Sequence, residues 1–363
     1  MSSSPPPAAA AFGVYLHVPF CAARCDYCAF ATWTDRHHLQ ERYLGACRLD
    51  VERHVAAGMP PATTVFVGGG TPSLVDPARL VGVLAAIPLA PGAEVTVECN
   101  PDDVTPALVA AYAAGGVNRI SIGVQSMAGH VLASLGRGHD PDNVRSAVAA
   151  IRDGGMPTFN LDLIYGAAGE SVDDWRRTLS LALELEPPHV SAYGLTVEPG
   201  TGLADDASRH PDDDDQADKY LLAASMLEGA GLAWYEISNW ARPGHECRHN
   251  RLYWSMGEYQ AFGCAGHSHR DGRRFWNVRT PERYVDAVEA DRSPEAAGER
   301  LDPPDRRLEA LQLAVRTRDG VPADAFPPHE LDLLGPLVER HADRVVLTPE
   351  GRLLANEVAL RLA

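Results

Sequence analysis

Residues 13–28 have the sequence GVYLHVPFCAARCDYC and carry the strongest indication of the fold. An apolar run typical of a buried strand leads directly into Cys21, Cys25 and Cys28, which have the spacing C-x3-C-x2-C and no fourth cysteine nearby. Three thiolates on one short loop suit three corners of an iron–sulfur cube and leave one iron open. A structural zinc site usually has four ligands in paired C-x2-C halves, so zinc and a chance grouping are the weaker alternatives.

Six strand-like runs alternate with helix-like stretches from residue 14 to about residue 196. We predict strands at Val14–Val18, Thr64–Val67, Glu94–Glu98, Arg119–Val124, Thr158–Ile164 and Val190–Leu195. We predict helices near His38–Ala56, Pro77–Ala86, Thr105–Ala114, Asn143–Arg152 and Val172–Leu185. This alternation predicts an α/β fold with a parallel sheet and helices outside, and six units rather than eight favour an open, partial (β/α)6 barrel.

Polar or glycine residues stand at or just past the ends of five of these strands. They are Cys21, Gly68–Gly70, Glu98, Gln125 and Asp162. Parallel barrels carry their chemistry at the carboxyl edge of the sheet, so we expect these residues to meet at one mouth.

The composition limits the function classes. A chain of 363 residues that is 45% hydrophobic can build one large core and a smaller second domain. A net charge of −17 argues against non-specific nucleic-acid binding. Seven cysteines, an odd number, fit a reducing compartment, and neither a signal peptide nor a membrane span is recognisable, so we expect a cytoplasmic protein.

The chain is predicted to contain four segments. These are a disordered tail (1–12), the barrel (13–235), a connecting region rich in aromatic residues and glycine (236–300) and a small C-terminal domain (301–363). Further helices are predicted over Gln216–Gly229, Arg306–Thr317 and Leu331–Glu339, and a strand followed by a short helix at Val345–Thr348.

The cysteine loop resembles that of the radical SAM superfamily, and residues 15–21, YLHVPFC, resemble one subgroup of it. That subgroup contains the oxygen-independent coproporphyrinogen III oxidases and their haem-chaperone relatives of the HemW type. The resemblance implies a [4Fe–4S] cluster whose open iron chelates S-adenosylmethionine. It also implies the partial barrel and a winged-helix-like C-terminal domain.

The resemblance also implies which residues contact the cofactor. Cys21, Cys25 and Cys28 would be the cluster ligands. The implied S-adenosylmethionine contacts are Tyr15, His17, Tyr27, Gly69, Gly70, Thr71, Glu98, Gln125, Arg137 and Asp162. The structural alternatives are a tight turn for the triple glycine, a core aromatic for Tyr15 and a salt bridge across the barrel mouth for Arg137. Tyr27 departs from the phenylalanine common at its position in the family.

Two features distinguish the oxidase branch from the haem chaperones. The oxidases have a further cysteine two residues after the third ligand, where this chain has Phe30, and a longer N-terminal arm. Residues 249–254, HNRLYW, instead resemble the H-N-x-x-Y-W motif of the chaperones. A neutral imidazole is a suitable axial ligand for haem iron, so His249 is the predicted haem ligand. Six arginines and four histidines within residues 242–274 suit the propionates of haem.

The sequence therefore favours a haem chaperone that binds the cluster, S-adenosylmethionine and haem and passes haem to acceptor haemoproteins. The alternatives are an enzyme that decarboxylates coproporphyrinogen III oxidatively and a redox or structural iron–sulfur protein without a substrate. Predicted partners are haem, acceptor haemoproteins and an electron donor, with no nucleic acid. Retention of radical chemistry, peripheral contact with membrane haemoproteins, covalent haem attachment and oligomeric state stay open.

Overall fold

Six parallel strands form the centre of one large sheet in the computed structural model, which describes residues 11–362. The strands are β1 (Phe12–Val18), β2 (Ala62–Gly69), β3 (Leu89–Cys99), β4 (Arg119–Gln125), β5 (Thr158–Tyr165) and β6 (His189–Gly194). Each pairs in parallel with the next along the chain. Every strand predicted in this part of the sequence overlaps one of them, so the parallel core of the predicted barrel is confirmed.

Helices follow these strands along the chain. They are α1 (Gln40–Ala56), α2 (Pro77–Leu84), α3 (Pro106–Ala114), α4 (Gly129–Ser134), α5 (Pro141–Asp153), α6 (Val172–Glu184) and α7 (Asp213–Gly229). Capping side chains that accept backbone N–H groups precede five of them, and these are Asp76, Thr105, Asp140, Ser171 and Asp212. Such caps satisfy N–H groups that the first helical turn leaves without partners, which fixes where each helix begins.

Alternation along the strands gives the sheet one apolar face and one polar face. In β4, Ile120 and Ile122 belong to the main apolar core together with helix residues such as Leu44. Arg119 and Ser121 of the same strand point the other way and line a cavity. Successive side chains of a strand lie on opposite faces, so the helices cover the apolar face and the polar face surrounds the cavity.

Six further strands, which the sequence did not predict, extend this sheet at both ends. β7 (Ala233–Glu236) and β8 (Asn239–Ala241) lie beyond β6, and β9 (Glu258–Phe262), β10 (His267–Arg270), β11 (Arg273–Asn277) and β12 (Glu295–Arg300) lie beyond β1. β9 runs parallel to β1, whereas β10, β11 and β12 are antiparallel to their neighbours. The sheet therefore continues past residue 235, and the predicted domain boundaries stay predictions.

Two helices lie among these added strands, and the C-terminal residues build a second apolar core. The two helices are α8 (Arg248–Trp254) and α9 (Pro281–Glu289). The C-terminal part contains α10 (Pro303–Ala314), α11 (Pro328–Leu334), α12 (Pro349–Leu353), α13 (Ala355–Ala359), β13 (Val321–Pro322), β14 (Val338–His341) and β15 (Arg344–Leu347). Its three strands form one small antiparallel sheet, which agrees with the winged-helix-like expectation.

The prediction of a helix over Leu331–Glu339 is wrong for the second half of that range. The helix ends at Leu334, where Gly335 adopts a φ of +43° and Pro336 follows. Proline lacks the N–H that a helix interior needs, and glycine tolerates positive φ. Glu339 consequently belongs to β14.

The predicted N-terminal tail falls mainly on residues 1–10, which lie outside the described residues. Phe12, which the sequence assigned to that tail, is instead buried at the start of β1. No helix in the described part of the chain combines the length and apolar character that crossing a membrane requires.

Lys219, the only lysine of the chain, is fully buried on α7. Its ammonium group lies 2.6 Å from a carboxylate oxygen of Asp215 and 3.2 Å from one of Glu170. It also donates a hydrogen bond of 2.8 Å to the backbone oxygen of Glu170. A buried charge needs such partners, and these contacts join α7 to the turn that precedes α6.

Candidate functional site

The three cysteines of the predicted cluster loop follow β1 and are half-buried free thiols. The Cys21 N–H donates to the Trp33 oxygen at 3.1 Å, and the Cys28 N–H donates to the Cys25 oxygen at 3.1 Å. Burial raises the pKa of the Cys21 and Cys28 thiols, so a bound cation is needed to hold them as thiolates.

Within residues 11–362, no three His, Cys, Asp or Glu side chains are placed to hold a single metal ion. The ligands of a cubane bind three different irons and need not converge on one point. The loop therefore offers the donor type and number that such a cluster takes.

Arg137 places a guanidinium group against this loop. Its Nη2 donates to Asn100 Oδ1 at 2.7 Å and to the Gly123 oxygen at 3.1 Å, and its Nη1 lies 3.8 Å from Cys25 Sγ. No carboxylate among the described residues forms an ion pair with it. The positive charge of Arg137 thus faces the cysteine loop across the end of β4.

The triple glycine after β2 is packed against the backbone that leads into the cysteines. The Gly70 and Thr71 N–H groups donate to the oxygens of Val18 and Phe20, each at 2.8 Å. A side-chain carbon at Gly70 would lie 2.7 Å from both of those oxygens, so only glycine fits there. Gly69 has a φ of +108° and donates its N–H to Glu98 Oε2 at 3.1 Å.

The carboxyl groups of Glu98 on β3 and Asp162 on β5 line the cavity on the polar face of the sheet. Desolvation by burial and, second, the nearby Asp162 charge raise the pKa of Glu98 to about 8. Burial also raises the pKa of Asp162, which accepts hydrogen bonds of 2.8 Å from Ser121 and Asn160. Gln125, at the end of β4, adopts a φ of +62° where the register with β5 shifts.

One cavity of about 780 Å³ gathers part of the predicted set. Its lining includes Tyr15, His17, Gly69, Glu98, Asp162 and His249. The remaining predicted contacts, Tyr27, Gly70, Thr71, Gln125 and Arg137, are not part of that lining. Tyr27 packs instead beside a small apolar cluster with Leu203 and Leu135.

His249 lies at the start of α8 and is only 1% exposed. Its Nδ1 is 2.9 Å from Thr64 Oγ1, and its Nε2 is 2.8 Å from the Tyr253 hydroxyl. Burial lowers the pKa of His249 to about 3, so the ring is neutral. Both ring nitrogens already have partners, and the prediction that His249 binds haem iron stays a prediction.

Four side chains that the sequence left unassigned also line the cavity. They are Phe30, His267, Trp276 and Arg279. His267 and Trp276 belong to β10 and β11, two of the unpredicted strands, and Phe30 lies just past the cysteines. The density of histidine and arginine within residues 242–274 and the HNRLYW motif pointed towards this part of the chain but not to these side chains.

Known proteins resemble the chain over nearly its whole length. The Radical SAM superfamily profile matches residues 15–182. A Mycobacterium tuberculosis protein named heme chaperone HemW is 42% identical, covering 97% of this chain and 94% of its own. The chain belongs to the HemW family. An Escherichia coli member is 36% identical, covering 95% of this chain and 96% of its own.

A solved structure gives evidence for the fold of this chain that does not depend on the sequence comparisons. Escherichia coli coproporphyrinogen III oxidase superposes with a TM-score of 0.84, covering 97% of this chain and 89% of its own at 20% identity. This likeness confirms the partial barrel. Membership of the radical SAM superfamily implies a [4Fe–4S] cluster and S-adenosylmethionine, and the three free thiols and the half-buried Glu98 carboxyl fit those groups.

Proposed function

We propose that this chain is a haem chaperone that takes up haem and delivers it to acceptor haemoproteins. The observation that carries the proposal is the 42% identity to a protein named heme chaperone over 97% of the chain. The position two residues after the third cysteine adds support, because Phe30 stands where the oxidase branch of the superfamily has a cysteine.

Cys21, Cys25 and Cys28 would hold the cluster in this proposal. S-adenosylmethionine would bind between the glycine turn and the cavity wall, where Glu98 can meet its positive charges. The proposed cofactor contacts are Tyr15, His17, Tyr27, Gly69, Gly70, Thr71, Glu98, Gln125, Arg137 and Asp162. The cluster would receive its electron from a separate donor protein.

Anaerobic incubation of the cluster-loaded chain with haem or with coproporphyrinogen III tests the proposal. We expect about one haem per chain by absorbance, and no protoporphyrinogen by chromatography when reductant and S-adenosylmethionine are present. Product formed over many turnovers would identify an oxidase instead, and absence of both activities would contradict the chaperone function.

Two cysteine variants separate the cluster from general effects on the fold. Cys28→Ser should lose the cluster, because serine replaces a thiolate ligand. Cys47→Ala changes a buried cysteine of α1 outside the loop, and we expect it to retain the cluster. Equal iron content in both variants would remove Cys28 from the ligand set.

A further inference from the structure

Three histidines that line the cavity have partners on both ring nitrogens. All three are also nearly inaccessible, with exposures of 3% for His17, 1% for His189 and 1% for His249. Their partners are Tyr15 and Ala31 for His17, Asn160 and Tyr235 for His189, and Thr64 and Tyr253 for His249. Each would have to break a buried hydrogen bond to bind a metal, which is costly.

His267 differs from these three in its exposure and in its lack of hydrogen-bond partners among the described residues. It lines the same cavity and is exposed, and within residues 11–362 its ring forms no hydrogen bond or ion pair. Burial of part of the ring lowers its pKa, which favours the neutral form, in which one ring nitrogen carries the proton and the other has a free lone pair. A free neutral imidazole at the wall of a cavity is a suitable ligand for haem iron.

Strand pairing fixes the orientation of the His267 ring. His267 of β10 is directly opposite Trp276 of β11, and opposed residues of an antiparallel pair project from the same face. Their rings are stacked, with centroids 5.5 Å apart and planes inclined by 26°. The indole holds the imidazole at the cavity wall and adds an apolar surface beside it.

The same cavity provides the other groups that a flat, dianionic macrocycle needs. Phe30 is 65% exposed and lines the cavity, so its ring is available to cover a porphyrin. Arg279 is exposed, and no carboxylate among the described residues pairs with it, so its guanidinium can bind a propionate. Four side chains of complementary chemistry thus share one cavity.

We propose that His267 is the axial ligand of the haem iron, with Trp276 and Phe30 against the macrocycle and Arg279 on a propionate. This proposal rests on the haem-chaperone function proposed above and names the residues of that site. Haem then lies next to the cysteine loop, because Phe30 is two residues beyond Cys28. His249 acts as a positioning residue, which anchors α8 to β2 through Thr64 and orients the Tyr253 hydroxyl.

Titration of ferric haem into the full-length chain, read by absorbance and electron paramagnetic resonance, tests the assignment. His267→Gly should lose the spectroscopic signature of imidazole-bound iron and bind haem at least about tenfold more weakly, since a coordinate bond disappears. Millimolar imidazole added to this variant should restore the signature. Arg279→Gln should weaken binding by about tenfold without changing the spectrum, as expected for loss of a charged hydrogen bond.

His329→Gln is the matched control, because that imidazole is 74% exposed and lies outside the cavity. It should bind haem as the wild type does. An unchanged spectrum in His267→Gly, or loss of the imidazole signature in His249→Gln alone, would overturn the assignment. Failure of the wild-type chain to bind haem would contradict the proposed function instead, so the two failures are distinguishable.

Discussion

At the scale of single residues, the cavity wall combines groups whose charge depends on what is bound. Glu98 and Asp162 face the same cavity, where burial and, second, the Asp162 charge raise the cost of ionising Glu98. The free protein therefore keeps a proton on Glu98 at neutral pH. A ligand that brings a sulfonium and an ammonium group would favour the carboxylate and displace that proton.

We expect the affinity for S-adenosylmethionine to rise with pH up to about 8 and then to level off. Below pH 8 binding must release the Glu98 proton, which costs up to about tenfold in affinity per pH unit, whereas above it the carboxylate is already present. Calorimetry on the cluster-loaded chain at pH 6.5, 7.5 and 8.5 measures how the affinity for S-adenosylmethionine changes with pH. Glu98→Gln should remove most of this pH dependence, and an unchanged pH dependence in this variant would exclude Glu98 as the titrating group.

His249→Ala should destabilise the chain even when no haem is present. The substitution leaves a cavity and removes the hydrogen-bond partner of the Thr64 and Tyr253 hydroxyls. The free energy of unfolding should therefore fall by about 2–4 kcal/mol. Chemical denaturation followed by circular dichroism measures it. The exposed control His329→Ala should stay within about 0.5 kcal/mol of the wild type. An equally small effect at His249 would contradict the positioning role.

The difference between His249 and His267 shows what a sequence can reveal about single residues. Cys21, Cys25 and Cys28 lie close together along the chain, so their spacing alone indicates a shared ligand. His249 belongs to a recognisable motif, but its burial and its hydrogen bonds depend on Thr64, 185 residues away. The environment of His267 depends on β-pairing with Trp276, which no local pattern indicates.

At the scale of elements, α8 is placed by a carboxylate from the sheet. Glu94 of β3 accepts hydrogen bonds of 3.2 Å from the N–H groups of both Arg248 and His249. Its negative charge also faces the positive end of the helix dipole. The strand thereby fixes the start of the helix that carries the H-N-x-x-Y-W motif.

Glu94→Ala should loosen α8 while leaving the barrel folded. Two backbone donors lose their acceptor, so we expect local opening of the helix to become easier by about 1–3 kcal/mol. Hydrogen exchange of the amides in residues 248–254 measures the change. Glu94→Gln keeps one acceptor oxygen, so its amide exchange rates should lie between those of the wild type and those of Glu94→Ala. Unchanged exchange in the alanine variant would show that other contacts hold the helix.

The elements divide clearly into those that local pattern predicts and those that it does not. The six parallel strands are apolar runs bounded by helices, and five of them were predicted to within two residues at each end, whereas β3 begins five residues before its predicted start. β9 was missed because Glu258–Phe262 is short and pairs with β1, which is more than 240 residues away. The edge strand β12 is exposed along its whole length and therefore has no apolar periodicity to recognise.

At the scale of the whole molecule, one twelve-stranded sheet and a second apolar core are joined by specific contacts. The Arg352 guanidinium of α12 lies 3.8 Å from the centre of the Trp234 ring in β7. The same side chain forms a 3.1 Å ion pair with Glu228 of α7. These contacts connect the C-terminal core to the edge of the large sheet beyond β6.

Arg352→Ala should weaken the attachment of the C-terminal part by about 1–2 kcal/mol, because a desolvated cation–π contact and an ion pair are both lost. Limited proteolysis should then cleave more rapidly near residues 300–303. Arg352→Lys retains the charge but not the planar stacking and should show a smaller effect. Cleavage at the wild-type rate in the alanine variant would contradict this role.

The burial of Lys219 has a practical consequence for chemical labelling. No amine side chain is available on the folded surface in residues 11–362, because the chain contains no other lysine. An amine-reactive reagent can therefore reach this side chain only when α7 separates from the turn before α6. The rate at which acylation appears at position 219 would report the opening of that single contact, with no background from other lysines.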